Sequence, residues 1–260
     1  MKKDELASGA EPAPNGAQGD IQAVTRAAQV LRLFGPDAPE LTAGEAAAKL
    51  RLNRTTAYRY CTSLAAAGLL ERGHRPGSFI PGPLLLQLGV FALGRRRVMD
   101  LAPPHLHRLR MTAEHTAVLS LWGGAGAVVA RVEEDPGTVV ITVRVGTQLP
   151  LDAAQSQLFL AWHPDQPTIS RILAAQPADS RHALEARLAQ VRAIGYAYNT
   201  AVSPGVLAIA APVFDEYGIC ATLALVGTDK GMAADDSSTQ VLLLKQAAHE
   251  LSKELGWAHS

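Results

Sequence analysis

The residues best equipped for chemistry lie in the run Asn53-Arg54-Thr55-Thr56-Ala57-Tyr58-Arg59-Tyr60-Cys61-Thr62-Ser63-Leu64. On a helix, Thr55, Tyr58, Arg59 and Thr62 fall on one side, with Arg54 in the first turn, while Ala57, Tyr60, Cys61 and Leu64 share the other. Hydroxyl and guanidinium donors in this arrangement can hydrogen-bond base edges and phosphates, which is what a recognition helix does in a major groove. An ordinary amphipathic helix with a solvated polar face has the same pattern, so the flanking elements decide between the two.

Those elements form a frame around the run. Val24, Ala27, Ala28, Leu31 and Phe34 follow helical spacing until Gly35-Pro36 stops them. Thr42 with Glu45 fits a capping box, predicting a short Ala-rich helix to about Leu50. Asn53 can cap a third helix over Arg54–Ala67, and two short helices joined this tightly make a helix-turn-helix. Leu69-Leu70-Glu71-Arg72 and Ser78-Phe79-Ile80 then read as strands around a turn with Arg72, His74 and Arg75, a wing able to reach the DNA backbone. The candidate DNA-contacting residues are Thr42, Asn53, Arg54, Thr55, Thr56, Tyr58, Arg59 and Thr62, with Arg72, His74 and Arg75 on the wing.

Beyond Pro81 and Pro83, residues 84 to 93 are apolar on nearly every side, so this linker helix must be covered. A counterpart in a second subunit is the expected cover, with burial inside the same subunit as the alternative. The resulting division is a disordered Ala/Gly/Pro-rich leader at 1–20, a winged helix-turn-helix at 21–82, a linker helix at 83–99 and a second domain at 100–260.

Charge divides in the same way. Residues 21–99 hold eleven Lys/Arg against four Asp/Glu, a net +7, whereas residues 1–20 carry −2 and residues 100–260 carry −5. A basic segment joined to an acidic one suggests that only the first meets a polyanion. No apolar run is long enough to span a bilayer and Met1-Lys2-Lys3 leads into Asp4 and Glu5, so a cytoplasmic location without membrane contact is expected.

The catalytic alternatives are thin. There is no Gly-x-Ser-x-Gly elbow, no Gly-x-x-x-x-Gly-Lys loop and no His-Glu-x-x-His. His105, His107 and His115 could be read as a metal cluster, but i, i+2 spacing on a helix turns His105 and His107 apart, so surface histidines are expected. Cys220 lies in an apolar strand as a core residue, and Cys61 and Cys220 are too isolated for a disulfide framework. Gly123-Gly124 with Gly126 reads as a hairpin turn. Neither enzyme activity nor a metal or cofactor is expected.

These residues resemble the IclR family of bacterial regulators over nearly the whole ordered chain. The resemblance rests on Leu41-Thr42, on Asn53-Arg54-Thr55-Thr56-Ala57-Tyr58-Arg59 with Leu64 and Gly68-Leu69, and on Phe79-Ile80-Pro81-Gly82-Pro83-Leu84. In the second half it rests on Val145-Gly146-Thr147-Gln148-Leu149-Pro150-Leu151, on Ile194-Gly195-Tyr196-Ala197, and on Gly205-Val206 with Ala208 to Asp215. The resemblance implies an α+β protein: a winged helix-turn-helix, a linker helix and a GAF-like effector-binding domain with an antiparallel sheet. Periodicity agrees, with strands expected at Thr116–Trp122, Gly126–Val132, Val139–Val143, Leu207–Val213 and Ile219–Val226, and helices at Arg181–Ile194 and Ser238–Leu255.

The implied function is a transcription regulator whose affinity for double-stranded, palindromic operator DNA changes on binding a small effector. It would act as a homodimer, with a dimer of dimers as a further option, and a sensor or scaffold with a degenerate helix-turn-helix is the competing reading. The implied effector residues are Leu149, Leu151, Asp152, Gln155, Ser156, Asn199, Thr200, Ala208, Ala224 and Val226. Here the chain departs from carboxylate-sensing relatives: it lacks their Gly-Lys at the helix start, their acidic run before Gly205, and their Cys or Ser on the facing strands. A pocket so lined suits an apolar or aromatic ligand better than a small keto acid, because an unpaired ligand charge is costly to desolvate.

Overall fold

The computed structural model describes residues 21–136, 143–199, 205–228 and 230–258. The expected leader, Thr200 and all of the Val139–Val143 strand except Val143 lie outside them, and Val143 itself is not in a strand. Backbone contacts divide the described chain into two compact units, one formed by residues 21–34 with 38–85 and the other by 35–37 with 86–258.

The first unit contains α1 (Gln22–Leu31), β1 (Leu41–Thr42), α2 (Ala43–Leu50), α3 (Arg54–Ala66), β2 (Leu70–Arg72) and β3 (Ser78–Pro81). Helices α2 and α3 begin where a side chain satisfies first-turn N–H groups. Thr42 Oγ1 accepts the Glu45 N–H at 3.2 Å and Glu45 Oε2 accepts the Thr42 N–H at 2.6 Å, completing the capping box. Arg51 ends α2 at φ 55°, and Asn53 Oδ1 accepts the Thr56 N–H at 2.7 Å to start α3. The first helix is shorter than its apolar spacing suggests, because Leu33 and Phe34 donate only three residues back, to Val30 and Leu31. Strand β1 was not expected; it completes an antiparallel sheet of order β1-β3-β2, with Leu41 opposite Phe79. Val30, Ala43, Cys61, Leu64, Leu70 and Phe79 form the core beneath.

Helix α4 (Pro83–Gly94) has no buried residue. Leu86, Val90 and Phe91 are 70%, 63% and 62% exposed, so among the described residues the expected cover for this helix is not found.

The second unit is built on β4 (Thr116–Trp122), β5 (Ala127–Glu133), β6 (Ala197–Asn199), β7 (Val206–Asp215) and β8 (Gly218–Thr228), antiparallel throughout in the order β5-β4-β8-β7-β6. Alternation along the strands divides their side chains between two layers. Leu207, Ile209, Ala211, Leu223 and Leu225 pack with α5 (Arg97–Ala113) and α9 (Thr239–Glu254) on one face. Ala197, Ala210, Ala224 and Val226 pack on the other with α6 (Ala154–Trp162) and α8 (Ala178–Ile194); α7 (Gln166–Ala174) adds Ile169 to this cluster. No helix among the described residues is long and apolar enough to cross a membrane.

One expectation fails here. His105 is buried, not on the surface: its Nε2 lies 3.1 Å from Glu254 Oε1 on α9 and its Nδ1 lies 3.1 Å from Arg108 Nη2. A guanidinium can only donate, so Nδ1 accepts and Nε2 carries the proton given to Glu254. His107 instead faces Glu133, and His115 Nδ1 contacts the Ala113 carbonyl, so the three histidines share no partner.

Candidate functional site

Two places hold the residues singled out from sequence, one in each unit. In the first, α3 turns Ala57, Cys61 and Leu64 into the core and leaves Arg54, Thr55, Tyr58 and Arg59 exposed, Tyr58 at 48%. Arg59 lines a surface groove with Thr56, Tyr60 and Ser63. Arg54 lies across α2, its guanidinium over Gly44, where an added Cβ would come within 3.2 Å of it. Thr62 is half-buried, and its hydroxyl faces the Tyr58 and Arg59 carbonyls at 2.9 and 3.0 Å, which occupies its proton within the helix.

Three expected contacts prove to be committed elsewhere. Thr42 and Asn53 use their side-chain oxygens as helix caps. Arg75, expected at the wing tip, turns back onto Glu40 and Glu45. Bonds from the Thr42 backbone N–H and hydroxyl, then from Arg75, bring the Glu45 carboxyl down to about 2. Arg72 also stays at the base of the wing, its guanidinium 4.7 Å from the centre of the buried Phe79 ring. His74 is left exposed in the turn.

In the second unit, strand register sets Asn199, Ala208, Ala224 and Val226 on one face of the sheet. Asn199 lies opposite Ala208, Ala208 opposite Val226 and Val226 opposite Thr116. The adjacent row is Ala197, Ala210, Ala224 and Val118. Ala197 and Ala210 were not among the residues expected here; period two along the Leu207–Val213 strand points to Ala210 from Ala208, while Ala197 joins only through its pairing with Ala210. This floor of small apolar side chains faces α6, whose first turn, Ala154, Gln155 and Ser156, is entirely buried.

The cap residue Ala153 offers α6 no side-chain acceptor, so the start of that helix presents N–H donors and the positive end of its dipole. Asp152 has an exposed side chain, but its carbonyl accepts both Asn199 Nδ2 and Gln157 Nε2 at 2.6 Å, tying β6 to the head of α6. Ser156 Oγ accepts the Ala127 N–H at 3.0 Å. At Gly126, φ is +152° and an added Cβ would strike the Leu149 carbonyl, so this close approach requires glycine. Leu149 and Leu151 pack against the same cluster. Gln157 Oε1 and the hydroxyls of Ser120 and Thr222, which face each other across β4 and β8, are buried with no hydrogen-bond partner among the described residues.

Elsewhere on β8, burial and the nearby Asp215 push the Cys220 thiol up to about 12, leaving it protonated at neutral pH and a poor nucleophile.

Residues 23–74 match the family description "IclR helix-turn-helix domain" and residues 90–253 match "Bacterial transcriptional regulator IclR C-terminal". The HTH-type transcriptional regulator XynR of Escherichia coli K12 is 28% identical over 248 residues, covering 91% of this chain and 98% of that protein. Among solved structures, an IclR transcriptional regulator from Alicyclobacillus acidocaldarius superimposes with a TM-score of 0.68 at 28% identity, covering 91% of this chain and 100% of its own. An IclR homolog from Microbacterium hydrocarbonoxydans, complexed with 4-hydroxybenzoate, has a TM-score of 0.66 at 24% identity, covering 90% and 98%.

Proposed function

The chain belongs to the IclR family of bacterial transcriptional regulators, and on that premise we propose how its two units divide the work of DNA binding and effector sensing. Helix α3 enters the major groove with Thr55, Tyr58 and Arg59 toward the bases, and Arg54 and His74 lie beside the backbone. The observation that carries this reading is the α3 surface itself: a helix capped at Asn53, held by Ala57, Cys61 and Leu64, with its hydroxyl and guanidinium side exposed. One such helix reads few base pairs, so operator recognition calls for two copies. The exposed apolar α4 supports a homodimer, and a twofold dimer calls for an operator of inverted half-sites. A DNA-binding role supports work in the cytoplasm.

For the effector domain we infer an aromatic acid. Its ring would lie on the Ala208, Ala224 and Val226 floor, and its carboxylate at the buried start of α6, beside Gln155, Ser156 and Asn199. Burying roughly 100 Å² of ring at about 25 cal/mol per Å² contributes about 2.5 kcal/mol that a small keto acid cannot obtain. The complex of the Microbacterium homolog with 4-hydroxybenzoate supports the same ligand class. Calorimetric titration with 4-hydroxybenzoate, glyoxylate and pyruvate tests it. The aromatic acid should bind at least about tenfold tighter than either keto acid; tight binding of a keto acid alone overturns the assignment.

A further inference from the structure

By residue type and place in the turn, Arg75 is a candidate phosphate contact, yet its side chain points back into the unit. Its Nη2 donates to the Glu40 carbonyl at 2.7 Å, and its two Nη atoms each lie 3.4 Å from a Glu45 carboxylate oxygen. Glu40 Oε1 accepts the Arg75 backbone N–H at 2.7 Å and meets the Ser78 hydroxyl. At Gly73 an added Cβ would collide with the Glu40 carboxylate and the Ser78 hydroxyl, so the turn has room for that carboxylate only because residue 73 is glycine. Glu45 is also the third residue of the α2 capping box. The group that starts α2 therefore also holds the wing, which follows 30 residues later in the chain.

We propose that Arg75 is a positioning residue: with Glu40 and Glu45 it latches the wing to the start of α2, setting where the wing meets DNA without itself holding a phosphate. The inference rests on the DNA-binding reading above. Electrostatics alone and the latch give opposite signs for one substitution. Removing a carboxylate from a DNA-binding unit strengthens attraction to a polyanion. Removing half of a latch frees the wing and weakens specific binding.

The test uses the full chain, a duplex that the unmodified protein selects from a randomised library, and an unrelated duplex of equal length. Glu40→Ala should weaken binding to the selected duplex by about tenfold and change the unrelated one by less than about twofold. Arg75→Ala should match that loss, and the double substitution should add nothing to it. The slope of log Kd against log salt should not change in Arg75→Ala, whereas a lost phosphate contact would reduce it by about 0.9. Glu45→Gln keeps the capping box but not the charge, so it should weaken specific binding while leaving the melting temperature in place. Tighter or unchanged binding by Glu40→Ala, additive losses, or a reduced salt slope in Arg75→Ala would each overturn the latch. If the unmodified chain selects no duplex, the DNA-binding reading beneath it fails instead.

Discussion

Replacing Arg59 with alanine is expected to weaken operator binding by about 1 to 3 kcal/mol, roughly 5- to 150-fold in Kd. The basis is its position: exposed on the outward side of α3, in a groove with Thr56, Tyr60 and Ser63, with the buried side of the helix untouched by the change. Stability should therefore hold while affinity falls. If the guanidinium forks onto a guanine edge, discrimination at one base-pair position relaxes and the salt dependence stays. If it contacts a phosphate, all sequences weaken together and the salt slope falls by about 0.9. Fluorescence anisotropy on matched and single-mismatch duplexes at several salt concentrations separates these outcomes, and unchanged binding would remove Arg59 from the interface.

The second large effect belongs to α4. A helix this apolar with no buried residue exposes Leu86, Leu88, Val90 and Phe91 in the isolated chain, more contiguous apolar surface than a monomer usually leaves in water. Two charges placed there, Val90→Asp with Phe91→Asp, should be nearly neutral for the isolated chain and prohibitive at a subunit interface, where they would be buried without partners. The expected product is a folded monomer of 27.5 kDa by light scattering, against a dimer for the unmodified protein. Losing the second half-site should then reduce affinity for a two-site duplex by about 10²- to 10⁴-fold. An unmodified protein that is already monomeric, or a doubly substituted one that still dimerises, would refute α4 as the interface.

Local chemistry made the first unit legible in the sequence. The Thr42–Glu45 capping box, the Asn53 cap and the period-3.6 split of α3 each operate within four residues, so their signals survive without tertiary context. Strand β1 was not legible, because two residues have no periodicity and Leu41–Thr42 becomes a strand only by pairing with Phe79 and Ser78. Nor was the fate of Arg75 or His105. Their partners, Glu40 and Glu45 for one and Glu254 for the other, are brought close by the fold and not by spacing. The candidate effector face was half legible: Ala208, Ala224 and Val226 came from the family resemblance, but recognising Ala197 and Ala210 as their neighbours requires the register of three strands. Helix α6 had no amphipathic signature because every residue from Ala154 to Ala161 is buried, leaving no polar side to mark a period.

The central claim is that the first unit reads DNA as half of a symmetric pair, and selection from a randomised duplex library with the full-length chain tests it most directly. The expected result is enrichment of two inverted half-sites about one helical turn apart, or a multiple of it, with binding that weakens steadily as salt rises. A pool that converges on no shared motif, or on a single undivided site bound by one copy of the chain, would contradict it.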